Sequence, residues 1–273
     1  MPGNDPTPKH VFRPDLLASQ AALVTGAGTG LGRAIAQELA GAGADLLIAA
    51  RRREPLEKAA AEIHASTGRR VEVALVNIRE RDSVEALGER ARDLYSQIDI
   101  LVNNAGGQYP QRARDFKPKG WNAVIDTNLT GTWNMTQVFG NQMLDGRGGS
   151  ITQIIAVVGR GFPGIAHSAA ARAGVLELSR TLAYEWGPKV RINCVAPGPI
   201  ATHGLEVTYD PNVTRLNESI PSQRLGTPEE VAHGVVFMAS PAASYITGEV
   251  LYVAGGQQIY GCNQTLFDDQ FDR

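Results

Sequence analysis

The chain has 273 residues, of which 43% are hydrophobic and 20% charged, with a formal net charge of -2. That balance excludes a broadly basic nucleic-acid binder, and the length is enough to bury a full core without disulfides or structural metal. The two cysteines, Cys194 and Cys262, cannot make a disulfide framework, and none of the five histidines stands at metal-ligand spacing from them, so no metal is expected. No apolar run approaches the ~20 residues that span a bilayer. The N-terminus, Met1 to Asp15, is polar and broken by proline, without the apolar centre of a signal peptide. A cytoplasmic protein without membrane or nucleic-acid partners is therefore expected, with one domain over residues 20–257, an N-terminal extension before it and an acidic tail, 258–273, after it.

In chain order, Ala21 to Thr25 reads as a buried strand that runs into a glycine cluster. Ala34, Ile35, Leu39 and Ala42 then recur on one helical face. Asp45 to Ala50 is a second strand, followed by an Ala/Glu-rich helix from about Glu54 to Ser66. Val71 to Val76 is a third, with a charged amphipathic helix after it from about Glu80 to Tyr95. Ile98 to Asn103 is the fourth. A single long helical segment is expected from about Lys119 to Leu144, then a strand from Ser150 to Val157, a helix from Ala166 to Trp186 and a strand from Val190 to Val195. The loop-rich stretch from Leu205 to Arg224 is expected to cover a substrate. Thr227-Pro228-Glu229-Glu230 reads as a helix start, with Thr as N-cap and Pro at the first helical position. Glu249 to Val253 closes the series. Strands alternating with helices in this way imply a single-domain α/β fold, a Rossmann-type doubly wound parallel sheet of about seven strands.

Three motifs fall at carboxyl ends of strands. Thr25-Gly26-Ala27-Gly28-Thr29-Gly30-Leu31-Gly32 joins the first strand to the first helix, where glycine lets backbone approach a pyrophosphate and the helix N-terminus favours an anion. Its Gly-x-x-x-Gly-x-Gly spacing differs from the common Gly-x-Gly-x-x-Gly fingerprint. Asn103-Asn104-Ala105-Gly106 ends the fourth strand, and Pro197-Gly198-Pro199-Ile200-Ala201-Thr202 follows the sixth. With these motifs the chain resembles the short-chain dehydrogenase/reductase family from about Gln20 to Gln257. The resemblance implies a subunit that binds NAD(H) or NADP(H) and commonly assembles as a homotetramer. It assigns the cofactor to Gly26, Thr29, Gly30 and Leu31, to Asn104, Ala105 and Gly106, and to Pro197, Gly198, Ile200 and Thr202, with Asn77-Ile78 flanking the adenine. An acid at the end of the second strand would bind a ribose 2′-hydroxyl and repel a 2′-phosphate. Ala50 stands there instead, followed by Arg51-Arg52-Arg53, and a guanidinium can fork onto a phosphate. NADP(H) is expected over NAD(H), with Arg51 and Arg52 on the phosphate and Arg53 in a solvated turn.

The catalytic signature of that family, Tyr-x-x-x-Lys after the fifth strand, is absent: none of the seven tyrosines has a lysine four residues later. Aligned through Ala173-Gly174-Val175, the Tyr position is Ser168 and the Lys position Arg172, while the family's serine falls at or beside Ala156. Asn128, in Asp126-Thr127-Asn128-Leu129-Thr130-Gly131, matches the family's structural asparagine. Asn128, Ser168 and Arg172 are thus the catalytic candidates, and Arg172 also supplies charge and hydrogen bonds to ribose hydroxyls. Ketone reduction places charge on an alkoxide and needs a strong positioned acid. Reduction of an activated C=C bond places it on an enolate, which hydrogen-bond donors alone can stabilise. Phe162-Pro163, His167-Ser168, Ala170 to Val175, Asn77-Ile78-Arg79 and Lys119-Gly120-Trp121 are further similar to the peroxisomal trans-2-enoyl-CoA reductases of this family, which implies NADPH and an acyl-CoA substrate. That group's tyrosine four residues after the arginine is replaced by Leu176.

Two function classes follow from these residues: an NADPH-dependent reductase of an activated double bond, and a dinucleotide-binding sensor or scaffold without chemistry; a third option, a carbonyl reductase, would need a proton donor that the sequence does not display. His167 is expected to be packed at its helix start rather than to donate a proton, Tyr109 to form an apolar wall, and Cys194 to be a small buried hydrophobe. Trp121 and Trp133 are expected to be packing residues at a subunit contact, and Arg112, Arg114 and Arg215 are the cations available to coenzyme A phosphates.

Overall fold

Seven short segments pair edge to edge; the five inner ones are buried on both faces, whereas the two at the edges are mostly half-buried. The seven are β1 (Ala21–Thr25), β2 (Asp45–Ala50), β3 (Val71–Leu75), β4 (Ile100–Asn103), β5 (Gly149–Ile154), β6 (Val190–Pro197) and β7 (Val250–Val253). The computed structural model describes residues 11–157, 163–202, 204–205 and 220–259. The expectations for Cys262, Arg215, most of the stretch from Leu205 to Arg224 and nearly all of the acidic tail lie outside them. All pairings are parallel, in the order β3-β2-β1-β4-β5-β6-β7. The chain runs outward from β1 to β3 and then returns to place β4 on the other side of β1. That reversal opens a crevice at the carboxyl ends of β1 and β4, where ligands lie in sheets of this kind.

Helices cover both faces. On one, α1 (Gly30–Gly41), α2 (Arg53–Thr67) and α7 (Pro228–Ala239) bury Ile35, Leu39, Leu56, Val231 and Val235 against Val24 and Ile48. On the other, α3 (Arg81–Tyr95), α5 (Gly131–Asp145) and α6 (Ala166–Trp186) bury Leu87, Phe139, Met143 and Leu182 against Leu23, Leu101 and Ile151. The expected start of α7 is present as a reciprocal cap: Glu230 N–H donates to the Thr227 hydroxyl (3.3 Å) and Thr227 N–H to the Glu230 carboxylate (2.8 Å). A cap of this kind is worth about 1 kcal/mol.

Two expected elements differ. The helix expected over Lys119 to Leu144 is divided into α4 (Pro118–Ile125) and α5 by a π turn, Asp126–Thr130. The pattern of apolar residues continues across it and so gives no sign of the extra residue. The β-branched Ile125, Thr127 and Thr130 are weak helix formers, and the Asn128 side chain bonds to another segment, so the wider turn is the one that serves both. The fifth strand ends at Ile154 rather than Val157, because the Ile154 carbonyl accepts a hydrogen bond from Arg172.

Candidate active site

The ends of β1 and β4 are latched by polar side chains. The Thr25 hydroxyl accepts from the N–H groups of Asn104 and Ala105, both at 3.0 Å, and donates to the Val102 carbonyl (3.3 Å). Asn104 Nδ2 donates back to the Thr25 carbonyl at 2.9 Å. Gly26 has φ +69°, and a Cβ on Gly32 would overlap its carbonyl, so this turn excludes side chains at both positions. Thr29 stands at the N-cap of α1 but its hydroxyl makes no capping bond, which leaves the first-turn N–H groups of Gly30 and Leu31 without a side-chain acceptor. An uncapped helix start beside close-packed glycine is a site for an anion.

A cavity of about 260 Å³ opens there, lined by Gly26, Thr29, Arg51, Arg52, Asn77, Ile78, Asn104, Ala105 and Gly106 of the sequence candidates. Ala50 brings no carboxylate to it. Arg51 and Arg52 are exposed and in no ion pair among the described residues, whereas Arg53 is engaged with Glu57 at 3.4 Å. Asn77 is held by Glu80 (2.5 Å), and Ile78 is buried beneath Gly131. Glycines a Cβ would fill, an uncapped helix and two free guanidinium groups fit a phosphorylated dinucleotide.

The second half of the site is made of side chains. Asn128, fully buried in the π turn, bonds Gly107 in both directions: its Oδ1 accepts from Gly107 N–H and its Nδ2 donates to Gly107 carbonyl, each at 2.9 Å. Nδ2 also donates to Ser168 Oγ at 3.4 Å. Since that oxygen accepts from Asn128, its own proton is left to donate elsewhere. Arg172, one turn further along α6, donates from Nη1 to the Ile154 carbonyl, and its Nη2 occupies the place a Cβ on Gly106 would need. Burial pulls the guanidinium down to about 10, with Cys194 opposing the shift, so the group is still charged at neutral pH. Asn128, Ser168 and Arg172 are thus brought together beside Gly106, which lines the cavity, and Gly107. No Tyr, Asp or Glu side chain hydrogen-bonds to any of the three among the described residues.

His167 is fully buried, and its Nδ1 accepts from Ser168 N–H at 2.8 Å, which puts the ring proton on Nε2. Burial lowers its pKa, so the ring is neutral. It packs edge-on to Tyr109 (4.8 Å between centroids) and against Phe116 (4.4 Å). This is the packed histidine expected at the helix start, here also capping the first turn of α6. Cys194 is buried, its thiol bonded to Ser179 Oγ at 3.4 Å and pushed up by burial to about 11, so it is a protonated small hydrophobe. Trp133 packs in the core, whereas Trp121 is 37% exposed.

Pro197, the last residue of β6, and Gly198, Ile200 and Thr202 beyond it lie outside that cavity, tied to neighbouring segments. Gly198 N–H donates to the Val253 carbonyl (3.0 Å), Ile200 pairs with Gly226, and Thr202 Oγ1 accepts from Leu205 N–H (3.2 Å). Seven lining residues were not among the sequence candidates: Gly28, Ala49, Ala50, Pro55, Val76, Arg79 and Thr127. Arg79 faces Asp126 at 3.8 Å, and Thr127 adjoins Asn128, a proximity that could have flagged it. Nothing local marks Pro55, which reaches the cavity only because Gly28 lets it pack within 3.1 Å of where a Cβ would stand.

A family profile described as enoyl-(acyl carrier protein) reductase matches residues 26–258. The peroxisomal, (3E)-enoyl-CoA-producing 2,4-dienoyl-CoA reductase of Danio rerio is 37% identical over 259 residues, covering 93% of this chain and 86% of the relative. The 3-oxoacyl-(acyl carrier protein) reductase of Chlamydia muridarum is 39% identical over 243 residues, covering 88% and 98%. Among solved structures, the citronellol catabolism dehydrogenase of Pseudomonas aeruginosa superposes with a TM-score of 0.82 at 38% identity, over 91% of this chain and 99% of that one.

Proposed function

Because the chain belongs to the short-chain dehydrogenase/reductase family, we propose that it is an NADPH-dependent oxidoreductase reducing a C=C bond conjugated to an acyl thioester, a trans-2-enoyl- or 2,4-dienoyl-CoA. The nicotinamide dinucleotide supplies the hydride when bound. Gly26 and the start of α1 would hold its pyrophosphate, and Arg51 and Arg52 its 2′-phosphate. The names of relatives that reduce dienoyl-CoA support the substrate class.

The observation that carries this reading is the chemistry of the cluster: hydrogen-bond donors and a positive charge, with no tyrosine or carboxyl group bonded to them. When a conjugated thioester accepts hydride, the displaced electron pair accumulates on the thioester oxygen. Ser168, oriented by Asn128, donates its hydroxyl proton as a hydrogen bond to that oxygen, and the Arg172 charge lowers the energy of the developing enolate. The α-carbon then takes its proton from water. The cluster lacks the tyrosine and lysine with which the family protonates a developing alkoxide as hydride arrives, which disfavours the carbonyl reduction named for the 3-oxoacyl relatives.

Purified protein with NADPH should oxidise it in the presence of crotonyl-, hexenoyl-, decenoyl- or 2,4-hexadienoyl-CoA, and do so poorly with NADH or a 3-oxoacyl thioester. Arg172→Ala should lower kcat by about 10²–10³, or roughly 2.7–4 kcal/mol, while changing NADPH affinity by less than about tenfold. NADPH binding without turnover of any acceptor would replace this reading with a dinucleotide-binding protein that performs no chemistry.

A further inference from the structure

Between Gln108 and Trp121 the chain carries four cations, Arg112, Arg114, Lys117 and Lys119, against a single carboxylate, Asp115, although the whole molecule is net negative. All four are exposed. None forms an ion pair among the described residues, where ten other arginines do. Solvated surface charge would ordinarily account for such a run. Here, however, the segment is fastened in place. Gln111 N–H donates to the Gly164 carbonyl at 2.7 Å, and Gln111 Nε2 to the Asp115 carbonyl at 2.6 Å, closing the short turn Ala113–Asp115. Tyr109 and Phe116 clasp the buried His167 ring, and Trp121 lies edge-on to Phe116 at 6.3 Å. The Tyr109 hydroxyl packs into the space that a Cβ on Gly120 would take. His167 in turn bonds Ser168, so the cations stand on a braced platform joined to the residue that faces the thioester.

We propose that this strip, Arg112 to Trp121, is the docking site for the phosphorylated adenosine end of coenzyme A. The proposal rests on the acyl-thioester reading above and adds the carrier and its place. A 3′-phosphate carries roughly −1.5 to −2 charge at neutral pH and the pyrophosphate adds more, which matches a run of unpaired cations. Arg112 and Arg114 can fork onto phosphate oxygens, Lys117 and Lys119 add point charges, and adenine stacks on the exposed indole of Trp121. An acyl carrier protein would match the charge, but it brings no base for the indole.

The test uses the full chain saturated with NADP⁺, so that a phosphoadenosine cannot enter the dinucleotide cavity. Calorimetry and tryptophan fluorescence follow titration with coenzyme A, dephospho-coenzyme A and adenosine 3′,5′-bisphosphate. Coenzyme A and the bisphosphate should bind, dephospho-coenzyme A more weakly, and Arg112→Ala/Arg114→Ala should weaken coenzyme A by about tenfold or more. Trp121→Leu should abolish most of the fluorescence change. In turnover, the double arginine variant should raise the KM of crotonyl-CoA about tenfold relative to that of crotonyl-pantetheine. Coenzyme A binding that ignores these substitutions, no coenzyme A binding, or tighter binding of an acyl carrier protein would overturn the assignment. Strip-dependent coenzyme A binding in a protein without turnover would uphold it and overturn only the reductase reading.

Discussion

The two halves of the candidate site are built on different principles. At the dinucleotide end the surface on offer is mostly backbone: the side chains of Thr25 and Asn104 only latch two adjacent strand ends, Gly26 and Gly32 are defined by what they lack, and α1 offers N–H groups rather than side chains. At the other end, Asn128 comes from a π turn, Ser168 and Arg172 from α6, and their partners from β5 and the Gly106–Gly107 loop. A backbone site is intolerant of added atoms, whereas a side-chain site is intolerant of lost ones.

The sharpest way to break that contrast is within α1. Alanine in place of glycine in a helix ordinarily gains up to about 1 kcal/mol. At Gly32 the new Cβ would meet the Gly26 backbone, which cannot move without opening the turn, so overpacking of about 1–3 kcal/mol should outweigh the gain. Gly32→Ala should therefore shift the urea midpoint downward and abolish NADPH binding. Gly41→Ala, in open space at the other end of the same helix, should shift the midpoint slightly upward. A stabilised Gly32→Ala that still binds NADPH would end the claim that the cradle is set by backbone.

A smaller effect sharpens the comparison from the side-chain direction. Arg51→Ala/Arg52→Ala should leave NADH affinity near that of the wild type and weaken NADPH by about tenfold or more, at about 1.4 kcal/mol per tenfold, as measured by fluorescence titration. Equal losses for both dinucleotides would mean that these guanidinium groups do not read the 2′-phosphate.

The smallest effect concerns His167. Its folded pKa lies below the ordinary 6.5, so the unfolded chain binds the proton more readily. The stability this neutral ring contributes is full above 6.5 and is lost as the pH falls toward the folded value. Thermal melting of the wild type should therefore fall more steeply on acidification than that of His167→Asn, whose Oδ1 can still accept from Ser168 N–H. Parallel melting curves for the two proteins would show that the ring is not buried as a neutral acceptor.

What could be read in advance follows the same division. The strands, the glycine turn and the Thr227–Glu230 cap were legible because each is decided by residues close together in sequence. Asn128, Ser168 and Arg172 could be picked out only by likeness to a family, since 40 residues separate Asn128 from Ser168. The π turn escaped because its apolar pattern continues unbroken, and Pro55 escaped because its place depends on a glycine 27 positions away.

The bond between Asn128 and Gly107 has one more implication. A carboxamide here imitates the edge of a neighbouring strand, offering one donor and one acceptor to a single residue of a loop. Aspartate has the same outline but would set a second oxygen against the Gly107 carbonyl, and leucine would leave both of its groups unanswered. Glutamine has the right head on too long a stem. The loop that bounds both halves of the site is therefore keyed to one amino acid, and shape alone cannot substitute for it.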